Sequence, residues 1–588
     1  MRLVSVILLL GGLRSAGQTT VPKPTEQATG SISGTVRDAA TGTPISDVQV
    51  YANRSSRDSV MAVSDAQGRY ALRNVKPGRQ PISAVGGAKA GVGPSQTATR
   101  FVSLLAGQDL TAIDFQISNH AAITGKIVDE NKEPVADITV FLIAREYALG
   151  MLRYVYAGIT TTDDRGEYSM KRVAPGRAFL LMAQKRPWKL PAISESPLDP
   201  KARKTIPAVT FYPGGTSATG AEALVLRPGE LRESVDIRMR RGASRCIEGS
   251  GQATGGAEEL RFQISDRQPT SGASGDGAMF VMSPSGVTGP DGKMRICELP
   301  PGEYQLTVYP NVADGPPSFY GTASISIGDR DVDKILVNAR SSVSLAGEVV
   351  WVGEAPDPPI TSQLALVLRP LTRAPWSGET DAVRTSIPGQ FSFKHLLVDE
   401  YGLQTFGVPE GAYVKDVTYG GRSVLGEPLQ IGSSIGDGGL KIALARDGGT
   451  VAASVADRDG KPVADAHVIL LPVTVNSEAS LATSMLSGQT DQNGAWKSPQ
   501  VSAGKYHVLA SPTAINKSPE SIAKLWRARH RALEVELAPN GTSQLKLIPE
   551  TIEPKTGSWL DLIKAASSPQ RTFQALVREG RRGSLRAE

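Results

Sequence analysis

The stretch Thr162-Asp163-Asp164-Arg165-Gly166-Glu167-Tyr168, which runs on through Val173 to Pro175-Gly176, constrains this chain more than any other, because near-copies of it return along most of the length. Asp at the second position accepts bonds from its own downstream amides, and Gly at the fifth supplies a positive φ. The aromatic two residues later starts a strand with one inward face. This is hairpin chemistry, and its repetition predicts an all-β architecture.

Counted from the turn glycine, the copies stand at Gly68, Gly166, Gly292, Gly389 and Gly494. Two residues on come Tyr70, Tyr168, Met294, Phe391 and Trp496. Seven on come Val75, Val173, Leu299, Leu396 and Val501, so both positions are apolar every time. A second turn follows as Pro77-Gly78, Pro175-Gly176, Pro301-Gly302 and Ala503-Gly504, with Val398-Asp399 as the degenerate case. A spacing of about 100 residues is too long for a solenoid repeat and suits a self-sufficient domain. Five modules in a string are expected.

Met1-Arg2, the apolar run Leu3 to Leu13 and the small residues Ser15-Ala16-Gly17 read as a secretory signal over residues 1–17, cleaved after Gly17. No later stretch approaches the ~20 apolar residues of a membrane span, and no lipid-attachment Cys follows the signal. The mature chain is expected to be secreted, periplasmic or at the cell surface. The 61 Gly and 40 Pro among 588 residues suit many short strands joined by turns. The formal charge of +6 falls to +4 once Arg2 and Arg14 leave with the signal, a mild surface bias that does not argue for nucleic acid. Residues 18–29 read as a flexible leader.

Within the modules, Gly34-Thr35-Val36-Arg37-Asp38 reads as a first strand and Pro44 to Val50 as a second. The phrase Pro-x-x-Asp returns as Pro134-Val135-Ala136-Asp137 and Pro462-Val463-Ala464-Asp465. Pro is tolerated at a strand start, where its missing N–H falls outside the ladder. Six or seven short strands per ~100 residues make a β-sandwich. The expected divisions are 30–119, 120–242, 243–340, 341–447 and 448–549, followed by a basic tail over 550–588.

The motifs G-x-V-x-D, P-V-x-D-x-x-V and T-D-x-x-G-x-Y-x-(L/M)-x-x-V-x-P-G resemble the carboxypeptidase regulatory-like domain, a transthyretin-like β-sandwich. Modules one, two and five carry most of the match; module three has Gly289 in place of the Asp, and module four has lost the Pro-Gly. Phe211 to Gly215 and Tyr413 to Gly421 look like connectors of long secreted arrays in this family. The resemblance implies a fold with a binding or spacer role, and related folds occur in carbohydrate-binding modules and in B-type adhesin domains.

No catalytic constellation accompanies it. The zinc site of the family's catalytic partner needs H-x-x-E and a distant His, and His120, His395, His467, His507 and His530 all lack a Glu three residues on. Gly432-Ser433-Ser434-Ile435-Gly436 matches G-x-S-x-G but lies in a Gly-rich turn between strands, not on a strand-to-helix elbow. Asp457-Arg458-Asp459-Gly460 and Asp329-Arg330-Asp331-Val332-Asp333 have calcium-like acid spacing without the further ligands of a full loop. The expectation is a non-enzyme with no catalytic residue, metal or cofactor. Cys246 and Cys297 both fall in module three of an exported chain, and a disulfide is expected on compartment. The isopeptide bonds of related pilin and adhesin domains need a buried Glu that is missing from Phe179-Leu180-Leu181-Met182 and Tyr506-His507-Val508-Leu509. First-strand Lys126 is then a solvated side chain.

Departures from the repeat are the places to look for a ligand surface. Module two inserts Tyr147 to Tyr156, with Tyr154 and Tyr156 alternating, and a loop carrying Trp188; module four carries Trp376. A loop ring can stack on a sugar face or cap a sandwich end. Trp188, Trp376, Tyr154 and Tyr156 are the candidate ligand residues, for a glycan or envelope polymer. Module five carries Ser518-Pro519-Glu520-Ser521, an N-cap with Pro at the first helical position, leading into a short helix whose Ile522, Leu525 and Trp526 suit packing on a sheet. The expected protein is a secreted, non-enzymatic, multidomain binding protein of carboxypeptidase regulatory-like type. The alternative is a structural or interaction spacer without a small ligand.

Overall fold

The structure, a computed structural model, describes residues 28–552 apart from 40, 55, 57, 87–96, 186–204, 254–258, 269–278, 281–284, 311–318, 358–359, 372–382 and 433–438. The signal, most of the leader, the tail after residue 552, Ser433 to Gly436, Trp188 and Trp376 lie outside the described residues.

The repeated turn folds as its chemistry dictates. One oxygen of Asp163 accepts from the amides of Arg165 and Glu167 at 3.0 and 2.8 Å. Asp65 does the same for Gln67 and Arg69, and Asp491 for Asn493 and Ala495. Gly68, Gly166, Gly292 and Gly494 all sit near φ +70°, where an L side chain is strained. Module four differs: Gly389 follows a cis Ile387-Pro388 bond and does not take positive φ. The residue two after each glycine and the residue seven after it are buried in all five copies. Between them Asn74, Arg172, Glu298 and His395 adopt positive φ, at the bulge that turns the later apolar side chain inward. Asp47, Asp137 and Asp465, the acids of the Pro-x-x-Asp phrase, are also left-handed, a conformation Asp tolerates better than most side chains.

The fold is a tandem array of about five β-sandwiches, with short helices in the last. In each, the first strand lies between the strand that follows the turn glycine, antiparallel, and the last strand of the module, parallel. In module one, Gly30–Asp38 is flanked by Arg69–Val75 on one side and by Asp109–Leu110 and Phe115–Ile117 on the other. In module five, Thr450–Val455 is flanked by Ala495–Lys497 and Thr542–Leu547. Modules two, three and four repeat the arrangement. The facing sheet of module one runs Val60–Val63, Gln49–Ala52, Gly78–Val85, Thr97–Leu104. Module three closes its two faces into one eight-stranded sheet, because Phe319–Ile327 also pairs with Val332–Ser341. Each module has its own apolar cluster, such as Ile32, Val36, Leu72, Ile82 and Phe115 in the first, and each fully buried side chain of this size stabilises by about 1.5–3 kcal/mol.

Because the last strand runs parallel to the first, the chain leaves each module beside the far end of its first strand, and the next module begins within a few residues: Ile117 is followed by Ala121, Ser341 by Val343 and Ala445 by Thr450. The junctions are consequently tight. Arg241–Ala243 pairs with Thr205–Pro207, Ala339 lies inside the strand Val332–Ser341, and Asp447 accepts from Tyr413 Oη and Lys415 Nζ, both at 2.8 Å. The string also folds back on itself, and module five touches modules one, two and four.

Candidate binding surfaces and the intermodule clasp

The inserted residues of module two form a long hairpin, Ile138–Ala148 with Met151–Thr161, turning at Leu149-Gly150. Tyr154 pairs with Arg145 and Tyr156 with Ile143, so both rings stand on the outer face of the sheet. There Phe141, Ile143, Leu180, Met182 and Phe211 form a second apolar cluster, roofed in part by the connector after Thr205. Tyr154 packs against that cluster. Tyr156 lies 5.1 Å from the Phe141 ring at 46° and keeps 40% exposure, with Ile159 57% exposed farther along the strand. The two tyrosines therefore differ in degree: Tyr154 is partly buried against the cluster, and Tyr156 is the more exposed.

The hairpin tip serves a purpose that its sequence alone does not reveal. Tyr147 donates its amide to the Lys517 carbonyl at 2.7 Å and packs against the cluster of Ile469, Leu471, Leu481, Ile522 and Leu525 on module five. Arg145 pairs with Glu520 at 2.6 Å. Arg153 donates to the Pro370 carbonyl at 2.8 Å, and Leu149 lies so close to Gly402 of module four that a Cβ there would collide with it. A small cavity of about 140 Å³ remains beside Leu149, Gly402, Leu425 and Thr483. The apolar seat on module five is built by two helices. α1 (Glu478–Ser484) has a capping box between Ser477 and Ser480, and is not expected from sequence because Ser480 stands where the usual signature has Glu or Gln. α2 (Pro519–Ala528) is capped by Ser518, which accepts from the Ser521 amide at 3.2 Å. Ile522 and Leu525 are buried; Trp526 is partly buried, with the Arg529 guanidinium over its ring.

Module five also closes on module one. Its repeat turn, Thr490 to Gly494, lies against the edge strand Thr97–Leu104. Gln492 behaves there as a neighbouring strand would, its Oε1 accepting from the Ser103 amide at 2.9 Å and its Nε2 donating to the Ser103 carbonyl at 2.8 Å. Ser103 Oγ donates to Asp491 Oδ2 at 2.6 Å, while the other oxygen of Asp491 holds its own turn. Arg100 pairs with Asp465 and Arg79 donates to the Gln489 carbonyl at 2.7 Å. A strand edge is a row of open donors and acceptors, and this one is covered by side chains from a module several hundred residues away.

Two further sets of buried hydroxyls hold the sandwiches. Tyr70 Oη donates to the Ile113 carbonyl and Tyr168 Oη to the Val235 carbonyl, each at 2.6 Å, and burial pushes both phenols well above their ordinary range. Modules three to five lack that tyrosine and carry another: Tyr304, Tyr401 and Tyr506 donate to the carbonyls of Pro300, Leu397 and Ser502, four residues upstream. Gln80 makes the same bond to Lys76 in module one. The Gly-x-Tyr of Gly302 to Tyr304 and Gly504 to Tyr506 was the available sign.

The remaining candidates resolve as structure. Asp457 accepts from Asp459 and Lys461 in a turn, Asp331 accepts from the Cys246 amide, and Lys126 pairs with Glu167 at 2.9 Å. Cys246 and Cys297 are joined by a disulfide across adjacent antiparallel strands. Among the described residues there is no group of three His, Cys, Asp or Glu that could hold a metal ion, and no helix is long and apolar enough to cross a membrane.

Residues 31–118 match the carboxypeptidase regulatory-like domain. The chain is 25% identical over 260 residues to Colossin-A of Dictyostelium discoideum, a match covering 41% of this chain and 2% of that protein. Among solved structures it is similar to the Bacillus anthracis TIE protein, at 10% identity over 86% of this chain and 65% of that one, with a TM-score of 0.14. A streptococcal ancillary pilin matches at 10% identity over 52% of this chain and 99% of its own, with a TM-score of 0.17. BcpA, the major pilin subunit of Bacillus cereus, matches at 10% identity with the same coverages and a TM-score of 0.14.

Proposed function

We propose that this is an exported, non-enzymatic interaction protein in which regulatory-like sandwiches, divided near residues 119, 242, 340 and 447, are clasped into one block. The observation that carries the reading is the docking of the 490–494 turn on the Thr97–Leu104 edge, which brings the first and last modules together. A spacer works by holding its ends apart, and this contact does the opposite. A block instead fixes several loop clusters in one frame, the arrangement that favours binding by loops on a rigid scaffold.

Small-angle scattering of residues 28–552 tests it. A compact chain of this length has a radius of gyration of roughly 24 Å, whereas an end-to-end string of five sandwiches would be about twice that. The extended value would return the chain to the spacer reading.

The ligand class that fits the exposed face of Tyr156 is a glycan or other envelope polymer, because a flat apolar ring at a strand edge suits stacking. A screen of the mature chain against polysaccharides and envelope fractions, compared with a Tyr156→Ala variant, tests that finer reading.

A further inference from the structure

We propose that the contact between modules one and five is exchangeable, so that module five of one chain also closes on module one of a second copy. The proposal rests on the clasped arrangement above and goes beyond it.

Three observations carry it. The first is complementarity: module one presents Arg79 and Arg100, and module five presents Asp465 and Asp491, with the Gln492 amide matched to both backbone groups of Ser103. The second is the nature of the contact. Among the described residues the bonds in it are polar or ionic and no apolar cluster spans it, and the Arg100 and Asp465 side chains retain 20% and 35% exposure. Such groups return to water when the contact opens, unlike the apolar seat that binds the module-two hairpin to module five. The third is attachment. Module five is held by module two, and by module four through the Asn540 amide on the Asp447 carbonyl, whereas among the described residues module one joins the block through this contact and through its junction at Asn119, which bonds Asp38 on one side and Gly229 on the other. Module one is therefore the piece that swings.

When module one swings out, it uncovers the Thr97–Leu104 edge and the acidic turn together, two halves of one interface on a single chain. At low protein concentration the partner already tethered in the same chain wins, because its effective concentration is higher. At high concentration a second copy competes. A reciprocal exchange closes as a two-fold dimer, and a one-way exchange runs head to tail.

The test uses thiol variants of the full mature chain and a short bis-maleimide. Leu105→Cys and Asn493→Cys in one chain, at exposed positions beside the contact that leave the Ser103, Asp491 and Gln492 side chains in place, report the contact within a chain. Leu105→Cys alone mixed with Asn493→Cys alone reports only the contact between chains. The expected result is a crosslinked dimer in the mixture whose yield rises with protein concentration and falls by about tenfold when Arg100→Asp is added, as loss of one charge-assisted interface pair implies. Adding Asp465→Arg to the partner should restore it. Thermal melting of each variant establishes that it is folded, and sedimentation of the unsubstituted chain should show the same concentration dependence. A mixture that yields no dimer, while the double variant crosslinks within its own chain, overturns exchange and leaves the clasp standing. Failure of both crosslinks in folded variants overturns the clasp as well.

Discussion

Arg100 and Asp465 are 365 residues apart in sequence, yet the guanidinium Nε lies 3.1 Å from one carboxylate oxygen and Nη2 lies 2.9 Å from the other. The pair is two-pronged and only partly exposed, so it is screened less by salt than a surface pair. Its position beside Ser103 and Gln492 makes it the charged end of a contact whose other end is backbone-like.

That contact should be visible in amide exchange. Gln492→Ala removes the acceptor of the Ser103 amide and the donor to its carbonyl. Exchange should accelerate over residues 97–104 and stay unchanged over Gln49–Ala52, which has partners on both sides within its own sheet. Equal rates in the two proteins would mean that the edge is open in solution.

The buried tyrosines give a second prediction. Tyr70→Phe and Tyr168→Phe leave the carbonyls of Ile113 and Val235 without their donor, and an unmet buried acceptor costs about 1–3 kcal/mol. Calorimetry should show one transition moving down in each variant. Tyr401→Phe should move a different one, because its bond to Leu397 lies in another core. If all three shift the same transition, the cores do not melt separately.

The junction between modules four and five should depend on pH at both extremes. Hydrogen bonds from Lys415 and Tyr413 hold the Asp447 carboxyl below its usual range. Its contribution is complete above about pH 4 and is lost as the pH falls through the lowered value. Burial, with help from Asp447, pushes the Tyr413 phenol up to about 12. That contribution is complete below about pH 10 and is lost as the pH rises towards 12. Asp447→Asn should remove the acid dependence of proteolysis at residues 446–449, and Tyr413→Phe the alkaline one. A profile that neither variant alters would place the titrating groups elsewhere.

The fold was legible in these residues because the turn carries its own instructions: Asp163, Gly166 and Tyr168 act over seven positions, and their partners lie within reach of one hairpin. The two cysteines were legible for a different reason, the exported compartment, and only the structure sets them beside the directly paired Ile247 and Ile296. The clasp was not. Gln492 reads as one more polar turn residue, and only the return of the chain over hundreds of residues sets it against Ser103. The inserted Tyr147 was placed in a candidate ligand loop, yet its ring covers α1 and α2, because a long hairpin ending in apolar residues beside an apolar helix pair buries both. Tyr154 and Tyr156 share a face as strand period demands, but which of them would be roofed depended on the connector packed over Phe141 and Met182.

Module three should be the module most sensitive to reduction. Its disulfide closes 51 residues, worth about 4 kcal/mol on the chain-entropy account. Reduction, or Cys246→Ala with Cys297→Ala, should lower the melting of one transition by that order and leave the others in place. The intact mass should fall short by two hydrogens and recover fully on reduction; a deficit that persists would point to a side-chain crosslink.

The last prediction separates stacking from packing on module two. Tyr156 is 40% exposed while its ring leans on Phe141, so the ring is preordered and costs little to immobilise when a sugar lands on it. Tyr154 is part of the apolar cluster beneath the connector. Tyr156→Ala should therefore weaken binding to a polysaccharide by about tenfold, the scale of one aromatic contact, with the melting temperature nearly unchanged. Tyr154→Ala should lower the melting temperature by a few degrees, as loss of a packed side chain does in a domain of this size. Trp188 and Trp376, as proposed contacts, should behave like Tyr156 when replaced by Ala. The pattern that sinks the glycan reading is a polysaccharide affinity that survives Tyr156→Ala, Trp188→Ala and Trp376→Ala together, because no other proposed aromatic would then remain to carry it.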